Sequence, residues 1–517
     1  MTTADPQSIQ SVQSVRRLSA LDGSFLRLDT PQSPMHVGWS ALFAAPDGDR
    51  PRPTIEALRE RAAGRVHEVP WCRWRLDESP LGLTEPRWID DAGFDLAAHL
   101  VQLTASDDPV SLASFEALRS SVLSTPLDRS RPLWQICLLP RLEDGRVGMI
   151  GKIHHSLVDG IAALQIVRLI VDPEPDMQSE PPVGFRPQGR GGPVGWALDA
   201  AQRAVGDGVS VVRAGADAVA HPRSAAGSAA RTAKLIATAI AEDVLPPAPP
   251  SALNGRIGSR RALVGYHAPR DLLRAARANG GTLNDVGLTA VAGALRTLAL
   301  REGEAPTAPL KTMVPVSMRG LRDDGAGNQI AMVYMPLPVH LASCGERLEF
   351  VREQTARLKH TDRPAATQAF VETAGGLVPP SLRTPVVRAL ASARQFNLTV
   401  SQSPAPRGSL YLLGCELDEV YSVVPIAQGH GLAIGMVRYR QELFFGCYAD
   451  PDLLPEVHEL PALLEGELAA LGAPARQRRP AAVPVPMPVR PPASGGRRGG
   501  RAATTAGNGL PPLVSAG

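Results

Sequence analysis

The apolar run Val147-Gly148-Met149-Ile150-Gly151-Lys152-Ile153 ends on His154 and His155, and the chain then reads Ser156-Leu157-Val158-Asp159-Gly160 before a second apolar stretch. A short run of this kind fits a buried strand, and Gly160 would let the backbone turn into a helix over residues 161–171 without a Cβ clash. A strand-to-helix junction of this type belongs to an α/β fold. It also sets an imidazole, with an ordinary pKa of about 6.5, at the end of a rigid element, where it can exchange protons near neutral pH.

Successive side chains of an extended strand point to opposite faces, so the two histidines take different jobs. His155 is the candidate base, and His154 packs beside it at the catalytic centre. Asp159, four residues after His155, either orients that imidazole as in a triad or pairs with a buried arginine and holds the loop in shape; the arginine is the preferred reading. Each residue alone is an ordinary strand end, whereas the joint pattern inside an α/β context points to chemistry. A zinc site would need a third ligand and an i, i+4 histidine pair, and no Cys or Glu cluster accompanies this doublet. A serine hydrolase would need Gly-x-Ser-x-Gly, but Ser156 stands between His155 and Leu157. No metal and no bound cofactor are expected.

At 517 residues the chain exceeds what a single core usually holds, which suggests two domains with tails. The net charge of +3, from 54 basic against 51 acidic side chains, gives no electrostatic case for nucleic acid. Five scattered cysteines, Cys72, Cys137, Cys344, Cys415 and Cys447, lack metal or redox spacing and suggest a reduced, intracellular protein. The polar opening lacks a secretory pattern, and no uncharged apolar run reaches the ~18 residues of a spanning helix. The expectation is a protein that is soluble or lies on a membrane surface.

The composition divides the chain into a disordered lead (1–15), a first globular half (16–172), a linker and helical crossover (173–250), a second globular half (251–472) and a disordered Pro/Arg/Ala tail (473–517). Strands are expected at 36–43, 133–139, 312–316, 330–339 and 432–437, and helices at 53–66 and 284–300. The Ala-rich stretch 196–244 reads as a crossover helix in preference to a membrane-surface helix, because its charges are mixed.

His154-His155-x-x-x-Asp159-Gly160 resembles the HHxxxDG signature of the acyltransferase superfamily that includes chloramphenicol acetyltransferase and the condensation domains of peptide synthetases. Within it, the bacterial wax ester synthase/diacylglycerol acyltransferase family fits best. Similar to that family are Leu21-Asp22-Gly23-Ser24-Phe25-Leu26, Pro34-Met35-His36-Val37-Gly38-Trp39, Arg131-Pro132-Leu133-Trp134, Leu253-Asn254-Gly255, the Asn284-Asp285 element and Val314-Pro315-Val316-Ser317-Met318-Arg319. One stretch departs: where the family has Ser-Asn-Val-Pro-Gly-Pro, this chain reads Ser401-Gln402-Ser403-Pro404-Ala405-Pro406.

The resemblance implies a two-half α/β fold like that of chloramphenicol acetyltransferase, with mixed sheets and a tunnel between the halves. It implies transfer of a long-chain acyl group from acyl-coenzyme A, as substrate, to diacylglycerol or a fatty alcohol, with His155 as general base. Asp159 would be structural, paired with Arg73 or else with Arg75 or Arg319, and Gly160 would shape the turn. Asn284, Asp285, Trp134 and Ser401 would contact substrate, although a helix cap for the first two and a core aromatic for Trp134 are open alternatives. The implied location is cytoplasmic, peripheral to the inner membrane surface or to lipid droplets. The other readings are a condensation-type enzyme using a carrier-protein thioester and a non-catalytic lipid-droplet protein of the same fold.

Overall fold

The structure is a computed structural model that describes residues 15–78, 86–157, 163–187, 192, 195–196, 220–241, 245–317, 330–359, 361, 365–367, 380–404 and 408–473. All of them lie in one compact unit, residues 1–481. In chain order its strands are β1 (Val15–Arg17), β2 (His36–Phe43), β3 (Trp74–Asp77), β4 (Arg87–Asp90), β5 (Leu100–Gln102), β6 (Trp134–Leu139) and β7 (Val147–His154). There follow β8 (Ala262–Ala268), β9 (Leu310–Ser317), β10 (Ile330–Leu337), β11 (Leu398–Pro404), β12 (Tyr411–Leu412), β13 (Cys415–Val423), β14 (Leu432–Tyr439) and β15 (Glu442–Ala449).

Two six-stranded mixed sheets carry the molecule, in the orders β12-β13-β2-β7-β6-β5 and β10-β9-β11-β14-β15-β8, and β1-β4-β3 make a small third. β7 is buried along all eight of its residues, which is why it reads as a continuous apolar run. Sheet membership departs from chain order at one place. β12 and β13, from the second half of the sequence, complete the first sheet, with β13 antiparallel to β2 from Leu417 against Phe43 to Val423 against Gly38.

A row of glycines lets β13 press against the second sheet. Gly265, Gly446 and Gly435 stand opposite one another on β8, β15 and β14, with Ser401 of β11 next in the row. A Cβ at Gly446 would lie 2.3 Å from the Ser422 carbonyl oxygen, and one at Gly265 would lie 2.5 Å from the Tyr421 ring. Only a bare backbone permits that approach.

The helix Leu283–Arg301 is buried on nearly every side and packs against the helices Leu460–Gly472 and Cys344–Lys359. Thr282 caps it, accepting the Asp285 N–H at 3.2 Å while the Asp285 carboxylate accepts the Thr282 N–H at 2.8 Å. Within the expected crossover, the helix Pro222–Ala239 has no described helix or strand packed along its length.

Candidate active site

His154 is the last residue of β7, and His155 opens the turn after it. The register places His36 of β2 opposite His154, and the His155 N–H donates to the Met35 carbonyl at 2.8 Å, so β2 and β7 together fix where the doublet sits. Their rings diverge as strand alternation requires. His155 lines a cavity of about 320 Å³ between the two large sheets, whereas His154 is buried on the far side with His36 and Lys152.

The His155 ring lies flat on Phe25, with centroids 3.9 Å apart and planes 5° from parallel. Phe25 reaches it from the helix Ala20–Leu28, which starts on a capping box between Ser19 and Asp22. The Leu21-to-Leu26 pattern is thus accounted for: Asp22 starts the helix and Phe25 supplies a shelf for the imidazole. The cavity wall is apolar on the first sheet, where Val37, Trp39, Ala41 and Phe43 of β2 line it. Its polar contribution includes Ser401 and Ser403 of β11 and Ser422 of β13.

On the sealed side, the Ser156 N–H donates to His154 Nδ1 at 3.1 Å, which turns the ring's other nitrogen, Nε2, toward Asp29. That nitrogen stands 3.6 Å from Asp29 Oδ2. Burial pushes the Asp29 carboxyl up, but His154, the Met35 N–H at 2.9 Å and Arg129 at 3.0 Å together outweigh it and hold the group at about 2. Burial drives His36 the other way, down to about 3, with the charges of Lys152 and His154 adding to it. Lys152, pushed by burial to about 8, donates to the carbonyls of Val122 at 2.9 Å and Thr125 at 2.8 Å at the end of the helix Leu112–Ser124. That helix end bears partial negative charge and suits a cation.

Of the residues expected at the site, the structure brings His155 and Ser401 to the cavity and His154 to its underside. Asp159, Gly160 and Arg319 lie outside the described residues, as do Ala405 and Pro406. Arg73 is stacked over Phe185 at 4.0 Å, with Asp90 as a nearby carboxylate, and Arg75 is 3.7 Å from Asp91. Trp134 is corrected to a core residue: its Nε1 donates to the Cys72 carbonyl at 2.7 Å and its ring stacks on His99. It stands on β6, with β7 between it and the β2 wall of the cavity.

Asn284 and Asp285 are likewise away from the cavity lining. Asp285 is used up by its capping box and by the Thr355 hydroxyl, which donates to it at 2.7 Å. The Leu253-Asn254-Gly255 element is also structural. Asn254 donates to the Asn397 carbonyl at 2.8 Å and accepts from the Asn397 amide at 2.9 Å, tying the end of the crossover to the start of β11. The residues that sequence reading missed are Phe25, Trp39 and Ser422. Trp39 could have been found from the period of two that links it to Val37, Ala41 and Phe43 on one face of β2.

Among the described residues no group of three His, Cys, Asp or Glu is placed to hold a metal ion. The wax ester synthase/diacylglycerol acyltransferase catalytic domain matches residues 18–287, and the C-terminal domain of the same family matches residues 326–472. A Mycobacterium tuberculosis protein carrying a provisional name as a diacylglycerol O-acyltransferase is 31% identical over 475 residues, 88% of this chain and 90% of that one. A similarly named Mycobacterium bovis protein is 29% identical over 463 residues, 87% of this chain and 97% of its own. Among solved structures, the wax ester synthase/diacylglycerol acyltransferase from Marinobacter aquaeolei shares the fold with a TM-score of 0.62 at 24% identity, over 88% of this chain and 98% of that one. The first condensation domain of the calcium-dependent antibiotic synthetase shares it with a TM-score of 0.57 at 19% identity, over 91% and 98%. The chain therefore belongs to the wax ester synthase/diacylglycerol acyltransferase family.

Proposed function

We propose that the protein is an O-acyltransferase that moves a long-chain acyl group from acyl-coenzyme A to the hydroxyl of diacylglycerol, giving triacylglycerol, or of a fatty alcohol, giving a wax ester. The observation that carries this reading is the His155 ring, held flat on Phe25, facing an apolar cavity between two sheets in a chain of this family.

His155 takes the proton of the acceptor hydroxyl as its oxygen attacks the thioester carbonyl. The new C–O bond makes a tetrahedral oxyanion; its collapse breaks the C–S bond, and His155 returns the proton to the departing thiolate. One imidazole serves both steps, and no acyl-enzyme forms. The hydroxyls of Ser401, Ser403 and Ser422 are the candidates for steadying the oxyanion, and apolar walls make any such donor more effective than it would be in water. Asp159 is assigned to holding the loop, paired with Arg73, Arg75 or Arg319.

The protein works at a lipid surface in this reading. The helix Pro222–Ala239 supports it: the acidic residues that make the charges of 196–244 mixed all lie outside 220–241, and at 3.6 residues per turn Arg223, Arg231 and Lys234 share one face with Ile236 and Ile240 opposite, so the surface reading replaces the plain crossover for this segment. No described helix is long and apolar enough to cross a membrane.

The test is purified protein with labelled palmitoyl-coenzyme A and either diacylglycerol or hexadecanol. Wild type forms a labelled neutral lipid with at least one acceptor, and His155→Ala forms none. Equal product from both would dismiss His155 as the base. A wild type inert with every donor and acceptor would move the protein to a scaffold role.

A further inference from the structure

The cavity beside His155 adjoins a second space. It follows β2, whose Val37, Trp39, Ala41 and Phe43 line it in turn, and at about 3.3 Å per residue those six steps carry it roughly 20 Å along the strand. At the Phe43 end, Leu417 pairs with Phe43, and the Leu417 N–H donates to the Leu410 carbonyl at 2.7 Å. Leu410, Val167 and Val171 line the His155 cavity and also line a neighbouring one of about 620 Å³, where Pro173 and Met177 join them and Arg65, Glu68, Arg168, Asp172 and Glu180 form a charged rim. Three apolar side chains are therefore common to both walls and stand as the partition between the two spaces.

The partition hangs on a rigid frame. Val171 and Leu410 immediately precede Asp172 and Tyr411, which exchange backbone hydrogen bonds at 2.8 Å in both directions. Asp172 is itself buried between Arg61 and Arg65, each 2.6 Å away. Its charge is thus paired within the frame, and the side chains of Val167, Val171 and Leu410 carry no hydrogen-bonding group of their own.

We propose that Val167, Val171 and Leu410 set the longest fatty chain the His155 cavity accepts, and that the second cavity is the space a longer chain enters once the partition yields. This rests on the acyl-transfer reading above. The ligand is the methyl end of an extended hydrocarbon chain, which the acyl donor or the alcohol acceptor could supply.

The experiment compares wild type with Leu410→Ala and Val171→Ala, which open the partition, and Leu410→Trp, which thickens it. In one arm octanoyl-, palmitoyl- and lignoceroyl-coenzyme A are given with hexadecanol; in the other, alcohols of the same lengths are given with palmitoyl-coenzyme A. Each variant is read as a ratio of kcat/KM values between lengths, so loss of folded protein cancels. The expected result is a rise of about tenfold in the lignoceroyl-to-palmitoyl ratio for the opened variants, in one arm, because a few methylenes in an apolar pocket are worth that much. Leu410→Trp moves the preference toward octanoyl in the same arm. Unchanged length profiles in both arms would overturn the proposal. If wild type turns nothing over, titration calorimetry of the same acyl-coenzyme A and alcohol series decides it: a length-dependent difference in binding between wild type and Leu410→Ala upholds the partition while the transferase reading fails, and its absence sinks both.

Discussion

On one face of β7 Met149 looks into the cavity, and the alternation continues to His155, a partly buried ring lying on Phe25; on the other face Lys152 and His154 are sealed in with His36 and Asp29. The same residue type has been placed in opposite surroundings by a shift of one position. A ring that must exchange protons with a lipid alcohol needs an approach route and a shelf that fixes its plane. The hydrogen bonds of Lys152 and His154 are instead buried, so that each loss is costly. The division separates variants that lose chemistry from variants that lose the fold.

The largest effect is expected on the cavity face. His155→Ala should lower kcat by roughly 10²–10⁴-fold, the usual contribution of a general base, with an unfolding midpoint close to that of wild type. A variant that fails to fold would erase the distinction between the faces.

The sealed face should answer to acid. In the unfolded chain His36 titrates near 6.5, and in the fold it refuses the proton down to about 3, because burial, Lys152, His154 and Arg261 oppose it more than Asp29 favours it. The stability that neutral His36 contributes is complete above pH 6.5 and is lost as pH falls toward 3, at about 1.4 kcal/mol per unit. Urea titrations across that range should show a shallower acid limb for His36→Gln than for wild type. Parallel limbs would mean that His36 takes up its proton inside the fold.

A smaller loss is expected from Lys152→Met, which keeps the bulk of the side chain and removes the donor to the Val122 and Thr125 carbonyls. The cost should be about 1–3 kcal/mol in urea unfolding, with kcat per folded molecule retained, since Lys152 faces away from the cavity. A fall in kcat without a fall in stability would show the two faces to be coupled through the strand.

How much of this could be read in advance follows from the range of each interaction. β2 appears where the sequence places it, at 36–43, and β7 extends the expected run by one residue to His154, because pleat alternation and apolar runs are local signals. The divergence of His154 and His155 followed from the same period of two. The joining of β13 to β2 links residues nearly four hundred positions apart, and nothing near Leu417 announces Phe43 as its partner. Trp134 and Trp39 look alike in sequence; only the strand order separates them, leaving the first in the core under Cys72 and the second on the cavity wall.

The smallest effect tests the second half of the molecule. Asn284 and Asp285 look like site residues in sequence, yet the Asp285 carboxylate is engaged by the Thr282 N–H, the Thr282 hydroxyl and the Thr355 hydroxyl, all within 2.9 Å. A carboxylate so occupied starts a helix and has little left for a substrate. Thr282→Ala removes the cap and should cost about 1 kcal/mol, seen as a lower urea midpoint, while KM and kcat for palmitoyl-coenzyme A stay within error of wild type. Loss of stability with kinetics intact would make this region a support for the second sheet, as the sealed face of β7 is for the first. A raised KM at unchanged stability would instead bring the start of the Leu283–Arg301 helix to the substrate, and chemistry would then reside in both halves of the fold.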